Sequence, residues 1–425
     1  MATDDRTQAG ERRVSRAGPP PLGIAYWRLW TSSGLSNLAD GIFKIALPLV
    51  AIRFTDSPTL IAGLTFALTL PWLLFALQAG ALADRLDRRR AMLCANTVRA
   101  VLLAALTLTV VVGIGSIWAL YIIAICVGVA ETVYDTSAQS ILPQVVSRDL
   151  LSRANGHLHA AELAANQFVG PPLGGFLVAA GAATAFAAPA ALWVVAVAAL
   201  LLVRGPFQIE RDRHTTIRGD IAEGLRFLLR HRLLRNLAVM VGVFNFASNA
   251  TWAILVLYAV GPESPLGLSD LAYGALLTTV AAGSVLGSIA AERIEHALGR
   301  ARALVLTVLG SALLVGAPAL TTDPILIGAA FFVGGVTMAV WNVITVSLRQ
   351  RVIPDRLLGR VNSTYRLVAW GTMPLGAAAG GLLAQFFGLR TVFVVMALLT
   401  LSVVAGMVTV TDRNMDAAER DADHS

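Results

Sequence analysis

Four charged residues interrupt two strongly apolar stretches of the sequence. Asp40 and Lys44 stand four residues apart in one stretch, and Glu131 and Asp135 share that spacing in another. Residues four apart lie on the same face of a helix, so each pair would present its charges together. A carboxylate withdrawn from water takes up a proton more readily than an exposed one. We therefore predict that Asp40 and Glu131 bind and release protons and that Lys44 pairs with one of them.

A purely structural role is the alternative for these residues. Lys44 could neutralise Asp40 within one helix and hold a bend there, without any exchange of protons. Asp135 lies nearer the predicted end of its helix, where it could stabilise local packing only. Charged groups are unfavourable inside apolar helices, so we still treat all four as candidate coupling residues.

A second group of candidate residues follows the second apolar stretch. It consists of Gly80, Asp84, Arg85 and Arg88. The glycine would let two helices approach closely. The carboxylate of Asp84 can accept hydrogen bonds from arginines or from a helix N-terminus. We predict a gating contact that forms in one conformation and breaks in another. The alternative, a basic loop that only sets the topology, is preferred for Arg89 and Arg90.

A third group lies in the run Gly170-Pro171-Pro172-Leu173-Gly174-Gly175. Glycines remove side chains where helices cross, and proline removes a backbone donor and kinks the helix. The run therefore predicts a flexible, tightly packed segment. Ordinary glycine-mediated packing is the alternative.

Several amides and indoles in apolar stretches are candidates for the lining of a cavity. They are Asn37, Asn245, Asn249, Trp252, Trp341 and Asn342. Hydrogen bonds between helices and aromatic packing are the alternative roles for these side chains.

The elements that carry these residues must be helices in a lipid environment. Of the 425 residues, 56% are hydrophobic and 14% charged, and soluble domains carry about 25% charged residues. A helix of about 20 apolar residues crosses a bilayer. We predict an all-α membrane protein with twelve such spans, near 29–53, 59–83, 92–113, 116–139, 155–180, 183–203, 236–260, 271–292, 303–321, 324–348, 362–386 and 390–411.

Arginine is concentrated in alternate connections between the predicted spans. The other connections receive only Arg53 and Arg390. Since positive residues are retained in the cytoplasm, both termini are predicted to be cytoplasmic. This distribution explains the net charge of +7 without nucleic-acid binding. The predicted parts are a tail (1–25), a six-helix bundle (26–203), a cytoplasmic linker with an amphipathic helix (204–235), a second six-helix bundle (236–411) and a tail (412–425).

The two bundles carry matching residues at one constant offset in the numbering. The matches are Gly80 with Gly287, Arg153 with Arg360, and Asn155 with Asn362. Because each half has an even number of spans, both halves enter the membrane in the same orientation. The sequence thus predicts a parallel repeat about a pseudo-two-fold axis along the membrane normal.

The run from Gly80 to Arg89 resembles the signature G-x-x-x-D-R-x-x-R-R of the major facilitator superfamily. Its D-R-x-D-R-R form, with Asp87, is similar to the branch of bacterial drug exporters that includes macrolide efflux proteins and the enterobactin exporter. The run from Gly170 resembles the antiporter motif G-P-x-x-G-G. The resemblance implies outward transport and a central cavity, lined by the first and fourth helices of each half, which would contain Asp40 and Glu131.

These observations together predict a secondary transporter of a bacterial inner or plasma membrane that works by alternating access. We expect proton-coupled efflux of amphipathic small molecules such as antibiotics or siderophores. The proton gradient would supply the energy, without cofactor or metal, and the chain is expected to be a monomer surrounded by lipid. An importer of a small polar metabolite is the alternative on the same fold. A membrane sensor or enzyme is the alternative of another class, but six histidines and two cysteines form no catalytic or metal-binding pattern.

Overall fold

The computed structural model describes residues 22–85, 87–147, 150–205, 207, 217–261 and 263–423. Fifteen α-helices account for almost all of this part of the chain. The first seven are α1 (Ile24–Ala51), α2 (Pro58–Arg85), α3 (Arg88–Val111), α4 (Ile117–Ile141), α5 (Leu151–Leu163), α6 (Gly170–Ala180) and α7 (Ala182–Leu201). The others are α8 (Ile217–Arg230), α9 (Arg232–Ala259), α10 (Asp270–Leu298), α11 (Arg300–Leu320), α12 (Pro324–Val352), α13 (Asp355–Phe387), α14 (Leu389–Gly406) and α15 (Asp412–Asp423).

Eleven of the described helices are long and apolar enough to cross a membrane. The twelfth crossing is the continuous run α5–α6, which a π-helical segment at Ala164–Val169 divides. The predicted fold class is confirmed: the chain is an all-α membrane protein of twelve transmembrane helices in two six-helix bundles. The first bundle contains α1–α7 and the second contains α9–α14.

Several helices extend beyond the apolar stretches that predict them. The span predicted at 271–292 continues to Leu298 in α10, and the span predicted at 362–386 begins at Asp355 in α13. Hydropathy marks the segment that favours lipid, whereas the hydrogen-bonded helix continues into charged sequence beyond it. We call the end of the molecule with these extensions the arginine-rich end and the opposite end, with Arg53 and Arg390, the arginine-poor end.

The two bundles share local turn chemistry. Gly181 alone separates α6 from α7 and has φ 143°, and Gly388 alone separates α13 from α14 and has φ 84°. These positive φ values favour glycine because it has no Cβ. The two glycines are related by the same offset as Arg153 and Arg360, as the repeat predicts.

The repeat is not uniform along the chain. The starts of α4 and α12, and of α7 and α14, keep the offset of the matched arginines. Pro58 and Asp270, which begin α2 and α10, are slightly further apart, because the connection from α9 to α10 is longer than that from α1 to α2. In that register Gly80 corresponds to Glu292, so the match of Gly80 with Gly287 does not belong to the structural repeat.

The buried apolar side chains form one cluster at the arginine-poor end and two at the arginine-rich end. The first cluster contains residues of both bundles, among them Phe43 and Tyr258. Each of the other two clusters contains residues of only one of the two bundles. In the described part of the chain the bundles therefore share an apolar core only toward the arginine-poor end.

Close contacts join the bundles at the arginine-poor end. Arg53, two residues after the end of α1, forms an ion pair with Asp270 at the start of α10, with 3.2 Å between Nη2 and Oδ2. The backbone of Gly175 in α6 lies against Asp270, where an added Cβ would be 2.3 Å from the carbonyl oxygen. Ser57 donates a hydrogen bond to Gln385 of α13 over 3.2 Å. These contacts close the molecule at this end.

Two helices outside the bundles pack on the second bundle at the arginine-rich end. Within the predicted linker, α8 packs on α13 and buries Leu228, while Leu229 remains 51% exposed. The other helix, α15, buries Met415. Arg300 at the start of α11 pairs with Asp416 and Glu419 of α15.

Candidate functional site

A cluster of charged side chains lies inside the first bundle, between α1, α3 and α4. Lys44 Nζ is 2.8 Å from Glu131 Oε1, and Arg99 Nη1 is 3.3 Å from Asp40 Oδ2. We call Asp40, Lys44, Arg99, Glu131 and Asp135 the charge cluster. Lys44 thus pairs across helices with Glu131, whereas Asp40 takes its partner from α3.

Arg99 is the member of the cluster that sequence reasoning missed. Its side chain is 0% exposed and lies between two aromatic rings, 5.2 Å from the Tyr134 centroid and 5.4 Å from the Trp193 centroid. The available signal was a lone arginine inside the apolar run of α3. Counting arginines in loops to orient the protein passes over such a residue.

The cluster leaves several polar atoms without partners. Within the described part of the chain, Asp40 Oδ1 and the Nε and Nη2 atoms of Arg99 are buried and make no hydrogen bond. Asp135, one turn from Glu131, is partly buried and has no described ion pair. Three carboxylates face two cations, so the fully ionised cluster carries one net negative charge. Uptake of one proton would neutralise it.

The run from Gly170 to Gly175 packs against both bundles. An added Cβ on Gly170 would lie 2.8 Å from Gly41 Cα, which follows Asp40 in α1. The backbone of Asn166, in the π-helical segment, is equally close to Gly41. Gly174 contacts α1 as well, whereas Gly175 contacts α10 of the second bundle. The predicted tight packing thus links the helix that carries Asp40 to the contact between the bundles.

The predicted gating residues are described only in part. The backbone of α2 includes Gly80, Asp84 and Arg85, but their side chains lie outside the described residues. Arg88 is 7% exposed and donates a hydrogen bond to the Ser140 carbonyl oxygen at the end of α4. The described contact therefore joins α3 to α4 within the first bundle.

A cavity of about 350 Å³ lies inside the second bundle, and we call it the C-bundle cavity. Three of the predicted lining residues are on its wall: Asn245, Trp341 and Asn342. The other three lie elsewhere. Asn249 donates a hydrogen bond to the Asn245 carbonyl oxygen over 3.0 Å, Trp252 packs edge-on against Phe331, and Asn37 donates a hydrogen bond within α1.

Of the residues described, no three His, Cys, Asp or Glu side chains could hold a metal ion together.

Two six-helix bundles that are closed against each other at one end, and that in the described part of the chain share no apolar core at the other, define a transporter of the major facilitator type. The chain belongs to the family of transmembrane secretion effectors, which matches residues 19–425.

The chain is similar in sequence to a known protein and in fold to two solved structures. The chain is 25% identical over 362 residues to the enterobactin exporter EntS of Shigella boydii serotype 4, covering 84% of this chain and 85% of that protein. Its fold is similar to the nucleoside transporter NupG, with a TM-score of 0.72, 12% identity and coverage of 91% and 99%. A bacterial homologue of the iron transporter ferroportin, solved in an inward-facing state, gives a TM-score of 0.70 with 15% identity and coverage of 91% and 98%.

Proposed function

We propose that this protein is a proton-coupled exporter of amphipathic small molecules that works by alternating access. The observation that carries the proposal is the charge cluster inside the first bundle, whose three carboxylates and two cations are one proton short of neutrality when ionised. The similarity to an exporter and the G-P-x-x-G-G run support outward transport. The proton gradient would be the energy source.

The proposal includes an orientation in the bacterial inner or plasma membrane. The arginine-rich end would face the cytoplasm, because positively charged connections are retained there. The described conformation would then be closed to the outside, and its described residues share no apolar core at the cytoplasmic end. A substrate would enter from the cytoplasm in this state and leave after the bundles rock to the opposite arrangement.

Asp40 and Glu131 are the proposed coupling carboxylates. Each is held by a cation, Arg99 for Asp40 and Lys44 for Glu131. Protonation of either carboxylate would weaken its ion pair and loosen the contact between two helices. Since α1 also packs on the run from Gly170, such a change would reach the helix that contacts the second bundle.

The experiment measures efflux from proteoliposomes with an imposed pH gradient. Asp40→Asn and Glu131→Gln should each reduce gradient-driven efflux of an amphipathic dye by about tenfold or more, because the exchangeable proton is removed. Glu263→Gln, an exposed carboxylate of the loop after α9, is the matched control and should transport normally. Full gradient-driven efflux in both cluster variants would overturn the proposal. Dye uptake driven by the same gradient would favour the importer instead.

A further inference from the structure

The C-bundle cavity lies in the second bundle where the α3 and α4 residues of the charge cluster lie in the first. Ile117 begins α4 and Pro324 begins α12. Aligning these two starts pairs Glu131 with Met338 and Asp135 with Asn342, and both counterparts line the cavity. At these corresponding positions the first bundle therefore has charged side chains, and the second has uncharged side chains that line a cavity.

The cavity exists because short side chains replace long ones. Aligning the starts of α3 and α11 pairs Arg99 with Ser311. Aligning the starts of α7 and α14 pairs Trp193 with Thr400 in the same way. In the first bundle the guanidinium and the indole fill the space, whereas Ser311 and Thr400 leave it open.

The lining of the cavity is aromatic and apolar with a few polar groups. Four aromatic side chains contribute to the wall: Phe244, Trp341, Tyr365 and Trp370. Pockets that bind small molecules combine such walls with few, well-placed polar groups, and about 300 Å³ is enough for a small ligand. Flat aromatic side chains favour a planar ring as the guest.

Arg349 supplies the only charge among the lining residues that the structure describes. Its guanidinium carbon lies 3.9 Å from the Tyr365 ring centroid, and its Nε atom is buried without a hydrogen-bond partner. In the described part of the chain no carboxylate forms an ion pair with it, whereas Arg351, two residues later, pairs with Glu419. A partly buried cation without a described counter-ion would be stabilised by an anionic ligand.

We propose that the C-bundle cavity binds a small planar aromatic anion, with its ring among the aromatic side chains and its anionic oxygens on Arg349. The inference deepens the proposed export function, on which it rests, by naming the class of substrate. Binding can be measured without a proton gradient, so its failure and the failure of coupled export are distinguishable.

The experiment measures binding of 2-naphthoate to the purified full-length protein in detergent, with neutral 2-naphthamide as the matched probe. The unmodified protein should bind the carboxylate more tightly than the amide. Arg349→Gln should weaken 2-naphthoate binding by about tenfold or more, since hydrogen bonds to charged groups are of that strength, and leave 2-naphthamide binding nearly unchanged. Arg351→Gln removes an arginine from the same helix outside the cavity and should bind both probes normally.

A second variant tests the location independently of charge. Thr400→Trp restores the side chain of the first bundle and should abolish binding of both probes by filling the cavity. The inference is overturned if the unmodified protein does not prefer the carboxylate, if Arg349→Gln binds it normally, or if folded Thr400→Trp still binds. Even where a variant fails to fold, equal binding of 2-naphthoate and 2-naphthamide by the unmodified protein overturns the inference.

Discussion

The buried arginine of α3, Arg99, contacts Asp40 of the charge cluster and two aromatic rings. Arg99 is fully buried. Asp40 balances its charge, and the faces of Tyr134 and Trp193 pack against its guanidinium. Cations over aromatic faces are stabilised when they are desolvated. Arg99 and Asp40 therefore depend on each other, because removal of either one would leave the other as a buried charge without its ion-pair partner.

A double-mutant cycle tests this dependence. Asp40→Asn and Arg99→Leu should each lower the free energy of unfolding by about 3 kcal/mol, because each leaves an uncompensated buried group. The double variant should be less destabilised than the sum of the two. Thermal unfolding in detergent gives the three values, and additivity within about 0.5 kcal/mol would contradict the coupling.

Spacing alone could predict part of the charge cluster. The i, i+4 pattern placed Asp40 with Lys44 and Glu131 with Asp135 on common faces, and the structure brings both faces together. The ion pairs themselves depend on a third helix, α3, because Arg99 pairs with Asp40 and Lys44 pairs with Glu131. Contacts between helices far apart in sequence are not encoded in local spacing, which is why this partner was missed.

At the scale of elements, α1 crosses α5–α6 in close backbone contact beside the charge cluster. Gly41 and Gly170 lie with their backbones in contact, and the π-helical segment ends immediately before Gly170. Single π-helical turns are frequent at functional sites. Composition predicted the close packing, but the π-helical segment could not be predicted, because it depends on how Asn166 meets α1.

A comparison of two glycines in α1 tests the importance of this crossing. An added Cβ on Gly41 would lie 2.7 Å from the Asn166 carbonyl oxygen, whereas one on Gly34 would meet nothing within 4 Å. Gly41→Ala should destabilise the protein by about 1–3 kcal/mol through overpacking. Gly34→Ala should be neutral or stabilising, as alanine favours helix. Equal melting temperatures for the two variants would show that the crossing can relax.

At the scale of the whole molecule, the described residues form one apolar cluster shared by both bundles at the arginine-poor end and two clusters that each draw on one bundle only. Hydropathy predicted the number and order of the helices that make this arrangement, and matched residues in the two halves predicted their repeat. They could not predict which end is closed, because both arrangements bury the same apolar faces within each bundle. The packing of Gly175 on Asp270 and the ion pair with Arg53 decide it here.

The closure can be loosened at Gly175. A leucine there would overlap the backbone of Asp270, so Gly175→Leu should separate the bundles at the arginine-poor end. Spin labels at Asp56 and Glu263, on exposed loops of the two bundles, should report a longer distance in this variant. Gly34→Leu, in an open part of α1, is the control and should leave the distance unchanged. An unchanged distance in both variants would contradict the assignment of Gly175 as a closing contact.

The unequal filling of corresponding positions has a consequence for how such a protein diversifies. After a duplication, the two copies of a position mutate independently, so one copy can change while its twin is preserved. Here the residues proposed to couple transport to protons lie in the first bundle, and the residues proposed to bind the substrate lie in the second. Substitutions at Ser311 or Thr400 could then yield transporters for new compounds without disturbing the ionic pairs on which the driving force acts.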